Sequence, residues 1–300
     1  VVAASSAAMV ALAIQADRFA NAAAYILLPA ALFAIAAGLL FALARADGRL
    51  RDVLAAGLAL FTVADLAYSN GPGGATALPP AHYDVLEPGT ANATIAELAA
   101  RTRASLSDIR RDRVELAGLG FHWPNAALTH RLESTLGYNP VRLAWVTEAL
   151  GAGDTVGLPD QRGFSLLFPS YRSPLADLLG LRFIATGVPI EQIDKTLQAD
   201  TLPLVARTPE AYIYENAQAL PRVMFVPDAQ KADFGEILKT GTWPRTDFDN
   251  TVLIEADPMP GTHAPGTVKI VSYSNTRVVI EADSPHGGYV VLNDIWHPWW

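Results

Sequence analysis

The chain has 300 residues, of which 51% are hydrophobic and 17% charged, and its mean hydropathy of +0.21 is apolar for a soluble protein. The net charge of −8 lies entirely beyond residue 70, because residues 1–70 hold four basic and four acidic side chains. A nucleic-acid partner needs a basic face to displace counterions, so this balance argues against one. Cysteine is absent, which excludes disulfides, thiolate metal sites and cysteine nucleophiles. The 18 arginines against 4 lysines, with abundant alanine, suit a high-GC bacterial gene. The chain opens on Val1 inside an apolar run and ends on Trp299 and Trp300, so it reads as a piece of a longer protein.

The first 70 residues predict two to three transmembrane helices. Ala22–Ala44 is 23 residues without a charge. At ~1.5 Å per residue it is long enough for a hydrocarbon layer of ~30 Å. Pro29 inside it is tolerated better in lipid than in water. Val53–Tyr68 is a shorter apolar stretch holding Asp65, which is either a helix-end acid at the headgroups or a functional acid within the membrane. Val1–Ala16 reads as the tail of an earlier span; it lacks the basic start of a signal peptide. Arg45, Arg49 and Arg51 in the link before the last stretch, against Arg18 alone in the link before that, put this link in the cytoplasm. Everything after Gly71 is then extracytoplasmic, and Gly71-Pro72-Gly73-Gly74 is the flexible exit.

Residues 71–228 predict an extracytoplasmic α/β (α+β) domain. Thr94-Ile-Ala-Glu97 has the spacing of a capping box and starts a helix to about Thr102. Arg113–Leu116 alternates polar and apolar like a half-buried strand. Helices are expected over Pro140–Leu150, Ser173–Gly180 and Ile190–Leu197, and strands at Leu181–Ala185, Pro203–Ala206, Ala211–Tyr214 and Val223–Val226. Residues 229–300 predict a β-rich, carbohydrate-binding-like module. Its runs Thr267–Tyr273, Arg277–Ala282 and Tyr289–Asn293 form an antiparallel meander, read as an incomplete antiparallel β-sandwich.

No cofactor is expected. Gly151-Ala-Gly153-Asp-Thr-Val-Gly157 has the wrong spacing for a dinucleotide loop and follows a helix rather than a strand. The histidines show no ligand-like pairing, so no metal is expected. Asp247, Asp249 and Asn250 lack the glycine and glutamate that close a calcium loop. Asn92-Ala-Thr94 fits a glycosylation sequon, which has no meaning in a bacterial host. Phe121-His122-Trp123-Pro124-Asn125 and Gly137-Tyr138-Asn139-Pro140 concentrate aromatic and amide groups. Sugars bind on aromatic faces with planar amide and guanidinium hydrogen bonds, so Trp123, Asn125, Tyr138, Asn139 and Arg142 are candidate ligand-binding residues. The alternative is packing: Asn125 as a helix cap and Gly-Tyr-Asn-Pro as a buried turn. The tryptophans at 296, 299 and 300 divide the same way, between core plug and ligand platform.

Ala64-Asp65-Leu66, Trp123-Pro-Asn125, Leu136-Gly-Tyr-Asn-Pro140, Leu178-Leu-Gly-Leu-Arg-Phe-Ile184, Tyr214-Glu-Asn216 with Leu220-Pro-Arg222, and Gly288–Asp294 with His297–Trp300 occur in this order. The series, over roughly residues 60–300, resembles the bacterial YfhO-type membrane proteins, distant relatives of the GT-C glycosyltransferases. Trp299 stands where that family usually has glycine. The resemblance implies a multispan protein of the bacterial plasma membrane whose outward domain serves sugar transfer from polyprenyl-phosphate donors to envelope polymers. It also implies a catalytic carboxylate in a first outward loop upstream of Val1, so no residue here is expected to be the catalyst. The rival expectations are a membrane-anchored, non-enzymatic envelope glycan-binding module, and a transporter or assembly partner using Asp65. The lipid bilayer and a polyprenyl-phosphate-linked sugar or envelope glycan are the expected partners.

Overall fold

The computed structural model describes residues 2–16, 19–71, 80–137, 143–152, 156–261 and 264–295. The chain divides into two compact units, Val1–Pro79 and Pro80–Trp300.

The first unit is helical: α1 (Val2–Gln15), α2 (Phe19–Arg45) and α3 (Gly48–Ser69). One helix of the described residues, over Ile26–Arg45, is long and apolar enough to cross a membrane, with a mean hydropathy of 2.6. Alanine and leucine propagate it through Pro29 without a break. After the two-residue link Ala46-Asp47, α3 turns back along α2, so that Leu28 and Leu32 share a groove with Phe61, Ala64, Asp65 and Tyr68. The outer faces carry large exposed apolar side chains, including Phe33, Leu40, Phe41, Leu60 and Val63.

The second unit opens with a 3-10 turn (Pro80–Leu86) and α4 (Ala93–Ser105). The cap of α4 is Asn92 rather than Thr94: the Asn92 side chain accepts from the N–H groups of Thr94 and Ile95 at 2.9 and 3.2 Å. Thr94 is fully buried, and its hydroxyl lies 2.6 Å from that of Thr208. β1 (Arg113–Ala117), α5 (Trp123–Thr129), α6 (Ala144–Leu150), α7 (Pro174–Leu178) and β2 (Leu181–Thr186) follow. Gly151 ends α6 at φ +71°, where a Cβ would lie 2.4 Å from Ser165 N, so only glycine fits. The helix expected over Ile190–Leu197 is a 3-10 turn at Ile190–Gln192. Asp194 stops it by bonding elsewhere: one carboxylate oxygen accepts from Thr196 and the other from Ser170 and Tyr171.

β3 (Leu204–Arg207) and β4 (Tyr212–Glu215) complete a four-stranded sheet in the order β1-β2-β4-β3, with β1 and β2 parallel and the remaining pairs antiparallel. Val114, Leu116, Phe183 and Ile213 belong to one core cluster with Leu98 of α4. Ala117, Leu181, Ile184 and Tyr214 belong to another with Phe168 and Tyr171. A register shift at the start of β1 leaves Arg182 as the extra residue of β2, which puts Leu181 and Ile184 in the same cluster. All five residues of β1 are therefore buried, not the alternate ones expected from its polarity pattern.

β5 (Val223–Val226), β6 (Asp228–Lys231), α8 (Phe234–Thr240), β7 (Thr251–Ile254), β8 (Thr267–Ser274), β9 (Arg277–Asp283) and β10 (Tyr289–Leu292) complete the unit. The expected meander is a single hairpin, β8–β9; β10 leaves it and pairs antiparallel with β5. The break has a chemical cause, since Asn293 and Asp294 bond to Pro221, Arg222 and Arg113. Strands on both sides of residue 228 thus share one sheet, within one compact unit.

Glu115 in the middle of β1 is fully buried. It accepts from Arg162 Nε at 2.6 Å, Tyr171 Oη at 2.7 Å and Thr135 Oγ1 at 2.7 Å. Arg162 also lies over the rings of Phe164, Phe168 and Tyr171 at 4.5, 5.0 and 5.4 Å. Removing one partner strands the other charge in the core. Glu115→Ala is therefore expected to cost about 3–5 kcal/mol in urea unfolding, whereas Glu115→Leu with Arg162→Met costs much less. A loss below about 1 kcal/mol for Glu115→Ala would show that the pair is not desolvated.

Candidate functional site

Two recesses flank the segment between α5 and residue 137, and that segment is pinned to β1. Val114 N–H donates to Glu133 O at 2.7 Å, Thr135 N–H donates to Val114 O at 3.1 Å, and the Thr135 hydroxyl holds Glu115. A short stretch of non-helical chain thus acquires the rigidity of a strand.

The first recess is an open groove of about 550 Å³ lined by Leu86, Pro124, Asn125, Leu128, Ser134 and Gly137, among others. Asn125 stands in the first turn of α5, after Pro124, and is half-buried. His122, not Asn125, occupies the cap position of that helix. The Asn125 Oδ1 lies 3.8 Å from where a Cβ on Gly137 would be, so the amide and the end of the pinned segment meet. Leu128 is 83% exposed on the rim. The lining combines a planar amide and a hydroxyl, the latter accepting from Leu136 N–H, with an apolar wall, residue types that suit a polyhydroxylated ligand with C–H faces.

Of the residues expected to form the site, Trp123 packs in the core. It is 8% exposed in the cluster with Leu98, Leu116 and Phe183, so its ring is covered by protein. Tyr138, Asn139 and Arg142 lie outside the described residues, as do the tryptophans at 296, 299 and 300. The structure brings together a different aromatic group. Tyr83 and His122 have ring centroids 4.4 Å apart, and Phe121, 59% exposed, meets His122 edge-on at 5.5 Å. His122 Nε2 is buried without a hydrogen-bond partner among the described residues. Tyr83 comes from a turn some 40 residues upstream, a proximity no local pattern announces. Asp247 accepts from Asp249 N–H and from the Asn250 amide, which makes that acidic stretch a self-bonded turn.

The second recess, about 250 Å³, is lined by Thr102, Arg103, Arg111, Asp112, His130, Arg131, Leu132 and Glu133, with Ala99 and Leu106. Behind it stands an ion-pair network. Arg222, nearly fully buried, donates to Glu133 and to Arg111 O, and bonds Tyr273 Oη at 2.6 Å. Tyr273 Oη donates to Asp294 at 2.6 Å, and Asp294 pairs with Arg113 at 2.8 Å. Burial alone would raise the Asp294 carboxyl. The hydrogen bond from Tyr273 and the guanidiniums of Arg113 and Arg222 outweigh it and hold it below its ordinary value. Burial, with the hydrogen bond to Asp294 next, pushes Tyr273 up to about 12.

Comparison with family models, curated proteins and solved structures finds no match for this chain.

These shifts contribute to the pH dependence of folding. A depressed carboxyl contributes stability above its unfolded pKa of about 4, and that contribution is lost as pH falls through the lower folded value. A raised phenol contributes below about 10, and its share fades as pH rises towards about 12. Urea unfolding of the chain and of Asp294→Asn is expected to differ most between pH 5 and 9 and to converge at the acid end. A difference independent of pH would mean that Asp294 is not held ionised by this network.

Proposed function

We propose that this chain is the membrane-anchored, outward-facing portion of a YfhO-type glycosyltransferase-like protein, in which the second unit positions a glycan for transfer from a polyprenyl-phosphate donor. The groove at Asn125 carries the reading. It joins the Asn125 amide and the exposed Leu128 rim of α5 to the Ser134 hydroxyl of the segment pinned to β1, on a protein whose charge disfavours polyanions.

The anchor is the helical unit. Its large apolar side chains are turned outward, as suits lipid rather than water. Arg45, at the end of α2, and Arg49 and Arg51, at the start of α3, flank the connecting turn. By the positive-inside tendency this turn faces the cytoplasm, and the α/β unit faces the periplasm or cell exterior. A bacterial plasma membrane is the location this implies. The catalytic carboxylate that the resemblance implies is assigned to no residue of this chain. The same groove would serve an anchored glycan-binding module without transfer activity, and what separates the two is turnover.

Asn125→Ala, in the full chain held in nanodiscs, is expected to weaken binding of oligosaccharides released from a bacterial envelope by about tenfold with an unchanged melting temperature. Trp123→Ala, which empties a core position, is expected to cost about 3–5 kcal/mol of stability. Glycan affinity unaffected by Asn125→Ala in calorimetric titration would remove the groove from the account.

A further inference from the structure

We propose that the recess between the end of α4 and the turn after α5 binds an oxyanion, the phosphate or carboxylate of an acidic saccharide. It rests on the glycan reading above and gives the ligand its charge.

The first observation is the imbalance of charge on its walls. Both acids there already have arginine partners: Glu133 is held by Arg111 at 2.7 Å and by Arg222, and Asp112 by Arg110 at 2.9 Å. Arg103 and Arg131 have no carboxylate partner among the described residues. The walls carry three arginines, Arg103, Arg111 and Arg131, against the two acids Asp112 and Glu133, within a chain whose net charge is −8. A cationic recess on an acidic protein selects small anions while the surrounding field repels large ones.

The second observation is where Arg131 stands. Helix α5 ends with Leu132 N–H donating to Ala127 O at 2.9 Å, the long-range bond of a Schellman ending. The residue just before Leu132 must then take the left-handed conformation, and Arg131 does so at φ +56°. Glycine is the usual occupant of that position, because a side chain there is strained. An arginine in this backbone conformation at the wall of a recess, in no ion pair among the described residues, fits a use for its guanidinium.

The third is the surrounding chemistry. His130 Nε2 lies 2.7 Å from Val85 O, which places a proton on Nε2; in the neutral ring Nδ1 is then an acceptor. The Thr102 hydroxyl donates to Leu98 O at 2.9 Å, so its remaining capacity is to accept. Acceptors beside guanidiniums suit a ligand with hydroxyls as well as an anionic group. Leu132, itself buried, belongs to the walls of both this recess and the Asn125 groove.

The test is calorimetric titration of the full chain in nanodiscs of neutral lipid, at fixed ionic strength, with glucose, glucose 6-phosphate, glucuronate and inorganic phosphate. One or both acidic sugars are expected to bind more tightly than glucose, and the preferred one names the anion. Arg131→Gly relieves the backbone strain and is expected to raise the melting temperature while weakening that binding about tenfold. Arg103→Gln is expected to weaken it similarly. Acidic sugars bound no better than glucose, with Arg131→Gly and Arg103→Gln both neutral, would overturn the oxyanion site and leave the glycan reading standing. Inorganic phosphate bound as tightly as the acidic sugars, with no binding of glucose or of envelope oligosaccharides, would overturn the saccharide assignment and the glycan reading together.

Discussion

A carboxylate in the middle of a strand covered on both faces must find its counter-charge inside the protein, and the α/β unit is arranged around that requirement. Glu115 collects Arg162, Tyr171 and Thr135 from three separate segments. A buried ion pair of this kind adds little net stability over an apolar pair of the same volume. What it contributes is position: the segment through Thr135 is fixed against β1, and that segment forms the shared wall between the groove at Asn125 and the arginine-lined recess. Moving Thr135 would displace both surfaces together.

A second network makes the last strand part of the same body. Arg222 and Arg113 draw Asp294 to the start of β1, and Tyr273 on β8 bridges the carboxylate to Arg222. The β8–β9 hairpin is therefore tied to the α/β unit through a polar contact, while β10 is tied through a ladder to β5. Opposing charges meet here in alternation, so each guanidinium is satisfied without a deep apolar interface.

Much of the fold was legible in the residues. The apolar run at 22–44 lies within α2 at 19–45, and the serine-proline start and glycine stop bracket α7. The strands at 181–186, 204–207, 212–215 and 223–226 stand within a residue or two of their expected places. What failed had physical causes. Alternation in Arg113–Leu116 reads as one wet face, yet Glu115 points into a second core whose aromatic residues come from far along the chain. Thr94 looks like a cap, but Asn92 caps the helix two residues earlier, and Thr94 falls inside the first turn with its hydroxyl beside that of Thr208. Of the aromatic and amide concentration at 121–125, Trp123 packs in the core, Asn125 lines the groove, and His122 meets both Tyr83 and Phe121. The arginine recess had no local signature, because Arg103 and Arg131 become neighbours of one cavity only through the packing of α4 beside α5 and β1.

We propose that α2 and α3 hold the α/β unit outside the membrane with their connecting turn inside the cell, which thiol labelling tests most directly. The chain has no cysteine of its own, so single introduced thiols report position without background. Asn275→Cys, in the exposed β8–β9 turn, and Asp47→Cys, in the α2–α3 link, are treated with a membrane-impermeant maleimide before and after lysis. The account predicts that Asn275→Cys is labelled in intact cells and that Asp47→Cys is labelled only after lysis. Labelling of Asp47→Cys in intact cells, with Asn275→Cys protected until lysis, would invert the topology and contradict a role in handling envelope glycans.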